Sequence, residues 1–311
     1  MKRIRRNTLR HRRVSGQAMI ACLAVLAFVT AIIGPISMGL LLEARVTRNR
    51  EDKLTTFYLA RSGLEVGARL LLVDDRSSDA LSDGWSSGAA ELSKIELDDG
   101  SYSIMYRQPD TGERRYGIVD EERKLNINTA DRGTIRALDP AFTEEIAKAI
   151  ISRREKRPFA SIQEIFELPG VPPDLLSKPT EELPGGIEGL LTVFGDGKVN
   201  VNTAPLHVLK CLEPLTAQQA ELLVARRYGQ DGEAGTADDA AFADLAEVRQ
   251  FLLMNDETFA RLAPLLTISS DYFTITATGR LTSTAVSTSE LREVVRRGED
   301  GLLVLRFEQL R

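Results

Sequence analysis

The chain has 311 residues, which leaves room for two compact units beyond any membrane anchor. Its net charge of −5 is unevenly distributed, because seven basic residues and no acid precede residue 14. The remainder is therefore clearly acidic, and an acidic surface argues against broad nucleic-acid binding. The two cysteines, Cys22 and Cys211, lie in dissimilar surroundings. Cys22 falls in an apolar stretch, so we expect no disulfide between them.

Residues 18–42 form a run of 25 residues without a charge. As a helix this run would be about 37 Å long, which is enough to cross a bilayer core of about 30 Å. The apolar region of a cleaved signal peptide is only about 7–15 residues long, so the run indicates a lasting membrane anchor. The basic residues before it predict a cytoplasmic N-terminus and a body on the other side of the membrane.

The junction before the anchor is informative, because the basic segment ends at Gly16 and the apolar stretch begins at Gln17. This junction resembles a prepilin leader, which a membrane peptidase cuts after glycine. The resemblance implies cleavage between Gly16 and Gln17, although Gln is less usual there than Phe or Met. A flexible joint before an uncleaved anchor is the alternative interpretation.

Position five of the mature chain would be Ala21, where pilins usually carry Glu. A carboxylate in lipid costs about 2.5–3.5 kcal/mol on insertion scales and needs a compensating charge. In pilins the N-terminal amine of the neighbouring subunit supplies that charge. A subunit at the tip meets no subunit above it, so Ala21 indicates a tip subunit.

Beyond the anchor, a helical pattern with one apolar stripe continues to about Val73 and predicts packing on a small sheet. Gly63 and Gly67 on this helix indicate close packing. A loop is expected over residues 74–93. Alternating or apolar stretches predict strands, with a turn at 109–112 between the first two. These stretches are residues 100–107, 115–119, 273–279, 289–297 and 301–307.

An internal repeat occupies the middle of the chain, because residues 125–130 (LNINTA) recur as residues 199–204 (VNVNTA). Each copy is followed by a short apolar helix, by a second helix that ends in paired arginines, and by a related segment. The related segments are residues 159–165 and 242–248. Matched features in one order predict a duplicated helical unit. The Asn-Thr pair before each helix is interpreted as its N-cap rather than as a catalytic group.

Together these features resemble the type II secretion system protein K family, the large minor pseudopilins. The resemblance implies an α+β fold, with a pilin-like long N-terminal helix packed on a small antiparallel sheet. A large duplicated all-α domain is inserted between the strands. The expected parts are a leader (1–16), a transmembrane helix (17–42), the helix and first strands (43–124), the insert (125–268) and the returning strands (269–311).

The family resemblance also implies a role at the tip of a periplasmic pseudopilus, where the protein starts assembly with two other minor pseudopilins. The implied partners are the I-type and J-type minor pseudopilins, the inner-membrane secretion platform and the prepilin peptidase. The expected location is the inner membrane, with one span and a periplasmic C-terminal domain. A minor pilin of a related pilus machine is an alternative.

A loop that interrupts only the second repeat concentrates four carboxylates, on Asp231, Glu233, Asp238 and Asp239. Hard oxygen ligands on a flexible loop suit Ca²⁺. Members of the family bind calcium in this insert, so these four residues are candidate ligands of a structural calcium ion. The spacing excludes an EF-hand, and a solvated acidic loop is the alternative.

Residues 167–171 (ELPGV) resemble a helix-hairpin-helix loop, which raises the alternative of a membrane-tethered DNA-binding or DNA-uptake protein. No basic helix follows this loop, so we expect no nucleic-acid partner. The chain has two histidines, His11 and His207, and no Ser/His/Asp grouping, Walker loop or paired metal-ligand histidines. We therefore expect no catalytic residue and no enzymatic activity.

Overall fold

The computed structural model describes residues 16–87, 90, 92–181, 183–232, 235–236, 238–282 and 287–310; for residues 16 and 17 it describes the backbone alone. The described chain is an α+β protein with one long helix, an antiparallel sheet and further short helices, as predicted. It divides into two compact units, Met1–Asp52 and Lys53–Arg311.

Helix α1 spans Gly16–Val73, in close agreement with the predicted helix, and Pro35 lies inside it. Its N-terminal part is long and apolar enough to cross a membrane, and none of that apolar window is buried within the protein. The absence of burial distinguishes it from the core helix of a soluble domain.

The strands of the described chain are β1 (Ile95–Leu97), β2 (Gly100–Arg107), β3 (Arg114–Tyr116), β4 (Val119–Asp120), β5 (Leu125–Asn126), β6 (Leu191–Thr192), β7 (Val199–Asn200), β8 (Leu266–Thr267), β9 (Tyr272–Leu281), β10 (Thr288–Gly298) and β11 (Gly301–Gln309). Seven of them form one sheet in the order β1-β2-β9-β10-β11, with β3 paired to β2 and β4 paired to β9. All pairings in this sheet are antiparallel. The chain thus enters and leaves the sheet on either side of the helical insert.

The C-terminal part of α1 lies against this sheet, and small residues permit the close approach. A Cβ atom on Gly67 would lie 2.8 Å from Ile275, and one on Gly63 would lie 2.9 Å from Ala277. On the strand side, a Cβ on Gly279 would lie 2.1 Å from the carbonyl oxygen of Thr56. The close-packing interpretation of Gly63 and Gly67 is confirmed.

The predicted strand over residues 115–119 is divided, because β3 ends at Tyr116 and β4 begins at Val119. Gly117 has a φ of +150°, and a Cβ there would lie 2.2 Å from the carbonyl oxygen of Ser86. The loop after α1 crosses the chain at this point, where the amide of Ile118 donates to the carbonyl of Trp85. Trp85 is buried and packs edge-to-face on Phe273.

The insert is mainly helical. Its α-helices are α2 (Arg132–Leu138), α3 (Glu144–Lys156), α4 (Leu206–Lys210), α5 (Ala217–Arg227), α6 (Leu245–Phe251) and α7 (Asp256–Leu262). Two short parallel strand pairs, β5 with β6 and β7 with β8, tie the insert together. The insert has a hydrophobic core of its own, separate from the core between α1 and the sheet.

Candidate functional site

The two copies of the Asn-x-Asn-Thr motif make the same contacts. In the first copy, the side chain of Asn128 donates to the carbonyl of Phe159 (2.9 Å) and accepts from its amide (2.8 Å). In the second, Asn202 makes the same pair of bonds with Phe242, at 3.0 and 2.8 Å. Each of these asparagines therefore holds the segment that follows the second helix of its copy.

The paired arginines are equivalent as well. The Arg154 guanidinium donates to the carbonyls of Ile127 (2.8 Å) and Ala130 (2.7 Å). Arg227 makes the corresponding bonds to the carbonyls of Val201 (2.7 Å) and Ala204 (2.8 Å). The sequence repeat thus has a matching hydrogen-bond pattern in space.

The N-cap interpretation of this motif is wrong. The N-cap of α2 is Asp131, whose carboxylate accepts from the amide of Thr134, and α4 follows Pro205 without a side-chain cap. The first asparagine of each copy instead accepts the amide of the second, Asn128 or Asn202. The asparagines are structural, but they join distant segments rather than cap a helix.

A buried polar network joins the second copy to the sheet. Asn200 is fully buried and donates to the backbone carbonyl of Asp79 (3.1 Å), the carboxylate of Asp120 (3.2 Å) and the hydroxyl of Ser270 (2.9 Å). Asp120 also accepts from the hydroxyls of Thr203 (2.5 Å) and Ser270 (2.8 Å). We call Asp79, Asp120, Asn200, Thr203, Ser270 and Arg297 the junction network.

Arg297 supplies the positive charge of the junction network. It is 2% exposed, and one guanidinium nitrogen donates to both carboxylate oxygens of Asp79 at 2.7 Å. The other nitrogen lies 3.1 Å from the carboxylate of Asp74. Burial raises the pKa of Asp79 to about 7 although Arg297 opposes the shift. The loop after α1 and the strand β10 are thereby held together.

Two adjacent glutamates beside this network, Glu121 and Glu122, have pKa values shifted in opposite directions. Burial disfavours the charge of Glu121, but Lys124 at 2.5 Å and two threonine hydroxyls outweigh that cost and lower its pKa. Burial and the neighbouring carboxylate of Asp120 raise the pKa of Glu122 to about 8. Glu122 accepts the backbone amides of Asp271 (2.6 Å) and Tyr272 (3.3 Å). The Glu122 side chain is therefore mostly protonated at neutral pH.

The predicted calcium loop is held together by its own hydrogen bonds. Asp238 accepts the amides of Gln230 (2.6 Å) and Asp231 (3.3 Å), and Asp239 accepts the amide of Gly235 (2.7 Å). The Thr236 hydroxyl and the Gln230 amide lower the pKa of Asp238 to about 2. Of the four candidate ligands, Glu233 lies outside the described residues. The other three are placed in this loop and remain candidates.

The remaining predicted site residues lie on α1. Gly16 and Gln17 are the first residues of the helix, and their side chains lie outside the described part of the chain. Ala21 lies in the apolar part of the helix and is exposed. The cleavage site and the tip marker stay predictions.

Residues 167–171 show a tight turn at Gly170, which has a φ of +82°. A six-residue 3-10 helix, Ile162–Glu167, precedes this turn, and residues 173–177 after it form turns. Within the described residues this segment therefore does not have the two flanking α-helices of a helix-hairpin-helix motif.

Sequence reasoning missed the junction network. Asp79 lies in a stretch whose composition predicts a solvated loop, so nothing local marked it as buried. For Arg297 a signal was available, because Arg297 shares strand parity with Leu291 and Val295 and must face inward with them. An inward-facing arginine requires a buried acceptor.

A long N-terminal helix that is apolar at its start and packs farther along on an antiparallel sheet defines the pilin-like class of proteins. Residues 125–183 match the family model described as type II secretion system (T2SS), protein K. This match confirms the resemblance to the protein K family. The matched segment contains the first Asn-x-Asn-Thr motif together with Phe159 and Arg154, which bond to it.

A solved structure has a similar fold. It is a chain of the GspK-GspI-GspJ complex from the type 2 secretion system of enterotoxigenic Escherichia coli, with a TM-score of 0.61 and 15% sequence identity. The similarity covers 85% of this chain and 99% of that chain. A comparison with curated proteins gave no match. The fold of that chain is therefore shared by most of this chain.

Proposed function

We propose that this protein is a minor pseudopilin that occupies the tip of a type II secretion pseudopilus and starts its assembly with other minor pseudopilins. The main support is the match of residues 125–183 to the protein K family together with a pilin-like fold over most of the chain. The similar solved chain belongs to a complex with GspI and GspJ, so proteins of the I and J types are the proposed partners.

The insert supports a tip position on physical grounds. It comprises about 140 residues and lies beside the sheet, joined by the buried junction network. An appendage of this size is difficult to repeat in a tightly wound shaft, whereas a tip subunit has free space. Ala21 agrees with the tip position, since a subunit with no neighbour above it needs no carboxylate to pair with an amine. The proposed location is the inner membrane, with a periplasmic body.

Assembly provides the test of the proposed function. Cells that lack this protein should form few or no pseudopili, and the wild-type gene should restore them; cross-linking of the periplasmic pseudopilin subunits followed by immunoblots measures this. In the complemented cells, intact-mass analysis should give a mature chain that begins at Gln17 when the prepilin peptidase is present. Normal pseudopili without the protein would refute the role in starting assembly. A mature chain that begins at Met1 would refute processing.

We also propose that the loop around Asp238 binds a structural calcium ion. Asp238 and Asp239 are consecutive residues, and the pKa of Asp238, lowered to about 2, keeps this carboxylate ionised even in mild acid. Anionic oxygens on a loop with glycines at positive φ (Gly229, Gly232) suit the irregular coordination of Ca²⁺. Removal of the ion should leave the negative charge of this loop without a cation and loosen the loop.

Chelation tests the calcium proposal. EGTA should lower the melting temperature of the full chain in detergent micelles by several degrees, and added Ca²⁺ should restore it. The double variant Asp238→Ala/Asp239→Ala should not respond to EGTA. The exposed Asp98→Ala on the β1–β2 turn is the matched control and should respond like the wild type. An unchanged wild-type melting temperature in EGTA would refute the bound ion.

A further inference from the structure

A cavity of about 360 Å³ lies between the outer face of the sheet and the insert. Strand residues alternate between faces, and on β9 the positions Phe273, Ile275 and Ala277 face α1 in the hydrophobic core. Thr274, Thr276 and Thr278 therefore face the other way and form part of the cavity wall. Ile162, Gln163 and Phe194 of the insert lie on the opposite wall. We call this space the sheet–insert cavity.

The charges around the sheet–insert cavity are not balanced. Six basic side chains line it: Arg107, Arg114, Arg123, Lys124, Arg292 and Arg306. Four acidic side chains line it as well: Glu121, Glu188, Glu290 and Glu308. Glu121 is already engaged by Lys124 and by the hydroxyls of Thr192 and Thr274, both at 2.6 Å. Positive charge is therefore in excess around the remaining space.

Two of these arginines have unused donors. The Nε atoms of Arg123 and Arg292 are buried, and neither has a hydrogen-bond partner among the described residues. Arg123 is 7% exposed, with its guanidinium carbon 5.8 Å from the centre of the Tyr106 ring. A terminal guanidinium nitrogen of Arg292 lies 3.8 Å from the carboxylate of Glu308. A buried donor that lacks an acceptor is costly, so the described residues do not fully satisfy these two side chains.

Guanidinium groups offer donors only, and the group that matches their planar fork is a carboxylate or a phosphate. The cavity is much larger than one ion needs and falls in the size range of organic ligand sites. Its sheet wall adds a row of threonine hydroxyls, which suit the polar backbone of an extended peptide. The ligand that fits best is therefore a peptide with a carboxylate.

We propose that the sheet–insert cavity binds an acidic peptide segment, whose carboxylate is held by Arg292 and Arg123. The carboxylate comes from an Asp or Glu side chain or from a peptide C-terminus. Binding places an acceptor among the basic side chains of the cavity and reduces the excess positive charge. The inference does not depend on the pseudopilin role, since it follows from the cavity alone.

The test is isothermal titration of the full chain in detergent micelles with four probes. These are acetyl-Gly-Glu-Gly-Glu-Gly-amide, the same peptide with Gln in place of Glu, Gly-Gly-Gly with a free carboxyl terminus, and inorganic phosphate. The Glu peptide should bind, and the Gln peptide should bind at least about tenfold more weakly. Binding of the Gly-Gly-Gly peptide at the strength of the Glu peptide would assign the site to a C-terminal carboxylate. Higher salt should weaken binding.

Variants locate the peptide in the cavity. Arg292→Gln should weaken binding of the Glu peptide by at least about tenfold. The affinity of Arg292→Lys for this peptide should lie between that of Arg292→Gln and that of the wild type. The control is Arg296→Gln, which changes an exposed arginine of the same strand outside the cavity and should bind as the wild type does. Equal binding of Glu and Gln peptides, binding of phosphate alone, no binding of any probe, or an unaffected Arg292→Gln variant would each overturn the proposal.

Discussion

Replacement of Arg297 by methionine should lower the free energy of unfolding by about 3–5 kcal/mol at pH 8, which is the usual cost of leaving one partner of a buried ion pair alone. Arg297 and its partner Asp79 are 2% and 0% exposed, so water cannot replace the lost guanidinium. Arg297 also donates to the carbonyl of Ser270 at 2.9 Å, which would lose that donor. Urea unfolding of the full chain in detergent, followed by the fluorescence of the single, buried Trp85, measures the loss.

The same substitution should cost less at pH 6. The pKa of Asp79 is about 7 with Arg297 present, and it rises further once that cation is removed. At pH 6 Asp79 is mostly protonated in both proteins, whereas at pH 8 the wild type ionises beside Arg297 and the variant cannot stabilise that charge. The double variant Asp79→Asn/Arg297→Met should recover part of the stability at pH 8, while Arg296→Met should be nearly neutral. An Arg297→Met variant within 1 kcal/mol of wild type at pH 8 would show that the pair is not holding the junction.

The second large effect concerns Glu122 and pH. Burial and the nearby Asp120 raise the pKa of Glu122 from 4.5 to about 8 in the folded protein. The folded chain therefore holds this proton more tightly than the unfolded chain. The resulting stabilisation is complete below pH 4.5 and is lost as the pH rises through 8. From pH 6 to pH 8 this one proton should account for about 2 kcal/mol of lost stability.

Glu122→Gln isolates this contribution. The amide oxygen of Gln can still accept the backbone amides of Asp271 and Tyr272, but the side chain cannot ionise. Between pH 6 and pH 8 the variant should thus lose less unfolding free energy than the wild type. The difference between the two losses is the contribution of Glu122. Glu257→Gln, at an exposed position on α7, is the matched control and should follow the wild-type curve. Parallel curves for Glu122→Gln and wild type would contradict the raised pKa.

Both predictions concern the place where the insert meets the sheet. Hydrogen bonds there join Asp120 on β4 to Asn200 on β7 and to Ser270 before β9. Arg297 on β10 donates to the carbonyl of Ser270 and so connects that strand as well. Because these groups are buried and mutually bonded, we expect the insert and the sheet to unfold together. An insert held in this way can present a fixed surface to a partner subunit.

Several features of this protein follow from its sequence alone. The apolar run, the helix to Val73 and the returning strands are all periodic or local patterns, and the helix and the strands appear where they were predicted. Periodicity reports burial of one face, so it locates long elements well. The protein K resemblance rested on the order of such local motifs. The match of residues 125–183 agrees with it.

Only the tertiary structure decided which polar residues are buried and with what. Asn128 and Asn202 seemed to be ordinary helix caps by sequence, yet they bond to backbone groups 31 and 40 residues away. Arg297 donates to Asp79, which lies 218 residues earlier in the chain. Composition predicts that charged residues in a loop are solvated, whereas burial depends on which segments meet. The junction network and the sheet–insert cavity arise from contacts between distant segments, and no local pattern encodes such contacts.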